Sequence, residues 1–154
     1  YKTSPAGGEF SYYTEYDQEH ALDYPGGLSG RTFEQEAKKF HISYMVGSDQ
    51  PEYQSMDRIK VAGMASGYRF KITAFRANDH SSEVCVQNIG VAPIYRDAYI
   101  SVNGVRAAKS LKSLQPGQSE CYSIAEGGDQ PVLTIECDDL VPGQQIQYLA
   151  DLPF

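Results

Sequence analysis

From Tyr68 onward the chain alternates apolar with polar residues and is cut at short intervals by turn-forming dipeptides, a pattern that selects short, half-buried strands. In Tyr68-Arg69-Phe70-Lys71-Ile72-Thr73-Ala74 the apolar residues Tyr68, Phe70, Ile72 and Ala74 share one face, and Arg69, Lys71 and Thr73 the other. Residues 82–88 repeat the alternation through Val84 and Val86. Residues 99–102, the dipeptide Asn103-Gly104 and residues 105–107 read as a two-residue hairpin, because a type I′ turn needs positive φ at both central positions and Asn-Gly tolerates it. Pro116-Gly117, Gly127-Gly128 and Pro142-Gly143 then mark off 119–124, 132–137 and 144–149 as further strands. Six or seven short strands without a helical window between them predict a mainly β fold over 68–154, an antiparallel β-sandwich of immunoglobulin-like or jelly-roll-like type.

Residues 1–67 read differently. Thr32-Phe33-Glu34-Gln35 has the form of a capping box, so 34–40 is expected to be a short helix. The run 41–47 looks like a short buried strand. Pro51 suits a first helical position, after which Met56, Ile59 and Gly63 mark one face of a helix that stops at Gly67. Before Thr32, the breaks at Gly7-Gly8, Pro25-Gly26-Gly27 and Gly30 interrupt every candidate element. The segment 1–67 is therefore expected to be irregular mixed α/β structure that packs on the sandwich.

Charge narrows the partners. Of 154 residues 13 are basic and 20 acidic, a net charge of -7, which supplies no positive field for nucleic acid or anionic membrane surfaces. No apolar run approaches the ~20 residues that cross a bilayer, so membrane insertion is not expected. The length falls short of the ~250 residues of a complete (β/α)₈ barrel. The sequence starts at Tyr1 without Met or an apolar leader and reads as a processed product or a piece of something longer. His20, His41 and His80 lack metal-ligand spacing, and Cys85, Cys121 and Cys137 form no Cys-x-x-Cys pair. Their redox state stays open, and Cys121 and Cys137 read as buried free thiols. The alternative is a Cys121–Cys137 bridge across the Gly127-Gly128 turn, although alternation puts those two on different faces.

The chain has 12 tyrosines and no tryptophan. Phe10, Tyr12, Tyr13, Tyr16 and Tyr24 lie among Glu9, Glu15, Asp17, Glu19 and Asp23. Aromatic rings stack on the C–H faces of sugars and carboxylates accept hydrogen bonds from hydroxyls, so this mixture suits a glycan site. The alternative is a set of tyrosines buried as packing plugs. Paired carboxylates for glycoside hydrolysis could come from Glu9, Glu15, Asp17, Glu19 or Asp138-Asp139. Asp138-Asp139 could equally hold a structural calcium ion, the one cofactor left open, although no calcium loop motif supports it. His41 opens an apolar run, where histidine is either a hydrogen-bonded boundary residue or an acid–base group.

The order Ala6-Gly7-Gly8-Glu9, His41-Ile42-Ser43-Tyr44, Gly67-Tyr68-Arg69-Phe70 and Asn88-Ile89-Gly90-Val91-Ala92-Pro93-Ile94-Tyr95 resembles a domain of unknown function from secreted, glycoside-hydrolase-like bacterial proteins. The resemblance implies that the first three stretches close a catalytic barrel and that the fourth lies in an appended β-sandwich. It implies a bacterial secreted, cell-surface or periplasmic setting, a poly- or oligosaccharide partner, and a linked or neighbouring catalytic domain. With most of the barrel missing, the expected function is a non-catalytic carbohydrate-binding or accessory module. Glu9, Tyr12, Tyr13, Tyr16, His41 and Tyr95 are its candidate ligand-binding residues, with no catalytic residue or metal. The alternatives are a hydrolase fragment using Glu9 with a second carboxylate and His41 in support, and a purely structural spacer.

Overall fold

A computed structural model describes residues 1–23, 30–47 and 49–151; Tyr24 and the Pro25-Gly26-Gly27 break lie outside them. Strands predominate, 31% against 21% helix, in several sheets, and among the described residues none closes into a barrel. The chain divides into two compact units, residues 1–68 with 90–92, and residues 69–89 with 93–154.

The first unit starts with β1 (Ala6–Glu9), α1 (Glu15–Glu19), α2 (Phe33–Phe40) and β2 (Ile42–Val46), and ends with α3 (Gln50–Tyr53) and α4 (Met56–Ala65). β1 and β2 pair in parallel, Ala6 opposite Ile42 and Glu9 opposite Val46. The Gly7-Gly8 pair, expected to break structure, is instead inside a strand. A Cβ at Gly7 would collide with the Tyr44 carbonyl and ring, so the close approach of the two chains requires glycine. The expected capping box is present: Thr32 Oγ1 accepts from Gln35 N, and Gln35 Oε1 accepts from Thr32 N. The single helix expected from Pro51 to Gly67 is two, because Gln54 leaves helical geometry and the Ser55 hydroxyl caps α4 by accepting from Arg58 N. Leu22, Phe33, Ala37 and Ala62 form a small core, with Phe10, Ile42, Met45, Ile59 and Val91 packed around it.

Arg58 ties this unit together. Its guanidinium donates to Asp23 Oδ1 (2.9 Å), both oxygens of Glu34 (2.6 and 3.0 Å) and the Leu22 carbonyl (2.7 Å). Partial burial alone would raise the Glu34 pKa, but the Arg58 hydrogen bond and charge outweigh it and hold the carboxyl below its ordinary value.

The second unit contains β3 (Phe70–Ala77), β4 (Ser82–Asn88), β5 (Ala98–Val102), β6 (Val105–Arg106), a 3₁₀ turn (Leu111–Ser113), β7 (Ser119–Ile124), β8 (Leu133–Cys137) and β9 (Leu149–Ala150). One sheet has the order β7-β4-β3-β9 and the other β6-β5-β8. Phe70, Ile72, Val84, Val86, Tyr122 and Ile124 of the first sheet share one buried cluster with Ile100, Val102 and Ile135 of the second. The hairpin turn has Asn103 and Gly104 at φ 49° and 83°, as type I′ geometry demands.

Three expectations are corrected here. The register shifts between Ile72 and Ala74, so Thr73 is an extra residue, and Phe75 rather than Ala74 packs on the core. Residues 144–148 form no strand; only Leu149–Ala150 does, and it pairs parallel to β3, so the sheet is not wholly antiparallel. The cysteine pairing also differs. Cys85 and Cys121 stand directly opposite each other on β4 and β7 and are bridged, whereas Cys137 is free. Val84 and Val86 point into the core on one strand and Tyr122 and Ile124 on the other, so both bridged cysteines fall on the outer face.

Candidate functional site

In parallel β/α structures, side chains that meet ligands gather where the strands end at their carboxyl side. In the first unit those ends are Glu9 and Val46, side by side in the register, and the pairing extends one step through Phe10 N to the Val46 carbonyl (3.0 Å). Glu9 is exposed there. The chain then turns through Ser11, whose hydroxyl donates to Asp17 Oδ2 (3.1 Å), and Thr14, whose hydroxyl caps α1 by accepting from Asp17 N (3.1 Å). These two bonds fix the loop that carries the tyrosines.

The rings are not packing plugs. Tyr12, Tyr13 and Tyr16 are 56%, 88% and 55% exposed. Tyr12 and Tyr13 lie nearly parallel, centroids 5.8 Å apart and planes 12° apart, and Tyr16 stacks separately on His20 at 4.1 Å. The His20 ring also meets the Tyr16 carbonyl through Nδ1 at 2.8 Å, and Gln54 Nε2 donates to the carbonyls of Gln18 (3.1 Å) and Glu19 (2.7 Å). α1 is thus held from α3's C-terminal end, and the flat faces sit on a braced loop.

Sequence reasoning did not single out Tyr53. Desolvation, then the charges of Glu15, Glu52, Asp49 and Glu19, raise its pKa above the ordinary phenol value. The four carboxylates make the surroundings of Tyr53 negative, which suits hydroxyl-bearing neutral ligands better than anionic ones.

His41 and Tyr95 do not join this group. His41 terminates α2 in the left-handed region (φ 55°, ψ 47°), its Nδ1 meets the Val91 carbonyl at 2.6 Å, and its ring stacks on Tyr1. It precedes β2, and so lies at the end of the strand pair opposite Glu9, about 16 Å along the strand. Tyr95 is half-buried in the second unit, in the segment after Asn88. Asn88 itself is a structural anchor: its side chain is fully buried, accepting from Arg69 N (3.2 Å) and donating to the Leu114 carbonyl (3.1 Å).

The Asp138-Asp139 pair is engaged by guanidinium groups, Asp138 by Arg106 (2.7 Å) and Asp139 by Arg96 (3.5 Å). Among the described residues no group of three or more His, Cys, Asp or Glu is placed to hold a metal ion, and no helix is long and apolar enough to cross a membrane. No family model, curated protein or solved structure matches the chain.

Proposed function

We propose that this chain is a carbohydrate-binding accessory module of a secreted bacterial polysaccharide-degrading system. Its first unit presents the sugar site, and its second unit is a β-sandwich. The observation that carries the reading is the exposure of Tyr12, Tyr13 and Tyr16 beside Glu9 at the carboxyl ends of two parallel strands. Exposed phenol rings with carboxylates near them match the alternating C–H and hydroxyl surfaces of a sugar. The acidic rim around Tyr53 favours a neutral glycan over a sulfated or uronate polymer. A two-stranded parallel sheet is rarely self-sufficient, which supports a neighbouring β/α catalytic domain as partner. The Cys85–Cys121 bridge supports an oxidising, extracytoplasmic setting.

Titration of the whole chain with neutral plant, algal and host glycans at millimolar concentration is expected to shift resonances of residues 9–20. Tyr13→Ala, at a ring with few packing contacts to lose, should weaken binding about tenfold with the fold intact. Silence across the panel removes the proposal.

A second reading rests on Glu9, which occupies a position where β/α enzymes carry catalytic carboxylates. It predicts release of reducing sugar by the chain and its loss in Glu9→Gln. Binding without release retains the module and discards the enzyme.

A further inference from the structure

The second unit contains a cleft of about 660 Å³ that no part of the glycan reading uses. One wall is β8, an edge strand, and the other is the irregular segment Gln144 to Tyr148, with Arg106 and Leu140 completing the lining. The volume lies within the ~300–1,000 Å³ range of ligand pockets.

The hydrogen-bond parity of β8 is fixed by its neighbours. Ala107 N donates to the Ile100 carbonyl, which places the backbone groups of Ile100 on the β6 side, and Asn103 N donates to the Val132 carbonyl. In an antiparallel ladder such groups alternate, so Thr134 and Glu136 pair with β5 while Leu133, Ile135 and Cys137 direct N–H and C=O into the cleft. The two outer carbonyls are occupied: Leu133 accepts from the Tyr148 hydroxyl (3.0 Å) and Cys137 accepts from Leu140 N (3.3 Å). Between these closures stands Ile135, with a donor and an acceptor facing the cleft, flanked by the N–H groups of Leu133 and Cys137.

We propose that this edge receives an extended peptide segment that adds to β8 as a strand, with a basic side chain on the outer face beside Glu136. An added strand returns an acceptor and a donor at the spacing Ile135 presents, the basis of peptide recognition at sheet edges. The span from Leu133 to Cys137, about 13 Å, admits roughly four extended residues. A sugar finds less: the Tyr148 hydroxyl is spent on Leu133 and its ring packs against the core. Charge selects the side chain. Arg106 is held by two carboxylates, Glu136 Oε2 (2.7 Å) and Asp138 Oδ1 (2.7 Å), so this face of the cleft has one negative charge in excess. Opposite charges placed across adjacent strands stabilise the pair.

The test uses the whole chain, labelled with ¹⁵N, and the capped pentapeptide acetyl-Thr-Lys-Val-Lys-Thr-amide. The proposal expects the amide signals of Leu133, Ile135 and Cys137 to shift and their hydrogen exchange to slow. N-methylation of the central valine, which leaves every side chain in place, should weaken binding about tenfold, the loss of one to two net hydrogen bonds. Replacing both lysines by glutamate should weaken it several-fold, and Glu136→Gln in the exposed rim should narrow that difference. No shift at these three amides with about 1 mM peptide, or equal binding of the N-methylated peptide, overturns the proposal. So does xylohexaose moving the same three signals where the peptide does not.

Discussion

The first unit runs its two strands in parallel and gathers polar and aromatic side chains at their ends; the second binds two sheets around one apolar cluster and bridges two of its strands covalently. The contrast separates two ways of holding a chain. In the first unit the apolar core is small, and a guanidinium with four hydrogen bonds joins α4, α2 and the 22–23 loop. In the second, burial does most of the work. Side chains that could meet a ligand concentrate in the first unit at a loop held by a few specific polar bonds, and in the second at a sheet edge where backbone pairing stops.

The largest test of this contrast is a deletion in each core. Phe70→Ala should cost about 3–5 kcal/mol in denaturant unfolding, because its ring is fully buried in the larger cluster. Phe33→Ala, the same change in the smaller and looser core, should fall at or below the lower end of that range; equal costs would erase the distinction. Next is the bridge. Cys85 and Cys121 are 36 residues apart, for which loop-closure arguments give roughly 3–4 kcal/mol, so a reductant or Cys85→Ser with Cys121→Ser should lower the melting temperature of the second unit. The first unit contains no cysteine, and identical melting of reduced and oxidised protein would refute the assignment.

The smallest effect is electrostatic. The folded Glu34 carboxyl lies below its ordinary pKa of 4.5, so its contribution is present above that value and is lost as pH falls through the folded pKa. Because the pair is partly exposed, the loss should be no more than about 1 kcal/mol. Glu34→Gln should therefore flatten the stability profile between neutral and acid pH; an unchanged acid limb would show that Arg58 holds the unit through packing rather than charge.

The sequence was most legible where the determinants are local. Residues 82–88 and 119–124 and the Asn103-Gly104 turn form as their own alternation and dihedral preferences demand. The failures have non-local causes. Gly7 reads as a breaker until Tyr44 is known to lie against it. The bulge at Thr73 is invisible in the alternation, yet it changes which residue reaches the core. The Gly127-Gly128 turn suggests a bridge between strands adjacent in sequence, while the strand order puts β7 beside β4. Val84 and Val86 inside, with Tyr122 and Ile124 inside, would have put Cys85 and Cys121 on a shared outer face had that order been known. At the candidate site, the mixture of tyrosine and carboxylate was readable, but the placement of His41 was not. A histidine beginning an apolar run resembles the first residue of a strand, and only the structure shows that it closes α2 and lies at the other end of the strand pair from Glu9.

The Cys85–Cys121 bridge also governs what proteolysis would release. A single cleavage anywhere between the two cysteines yields two polypeptides that remain one molecule, each still carrying a strand of the same sheet. Limited digestion within 90–117 would therefore leave a band of unchanged mobility until reductant is added, and then two. A cut before Tyr68, by contrast, frees its N-terminal piece from any covalent tie.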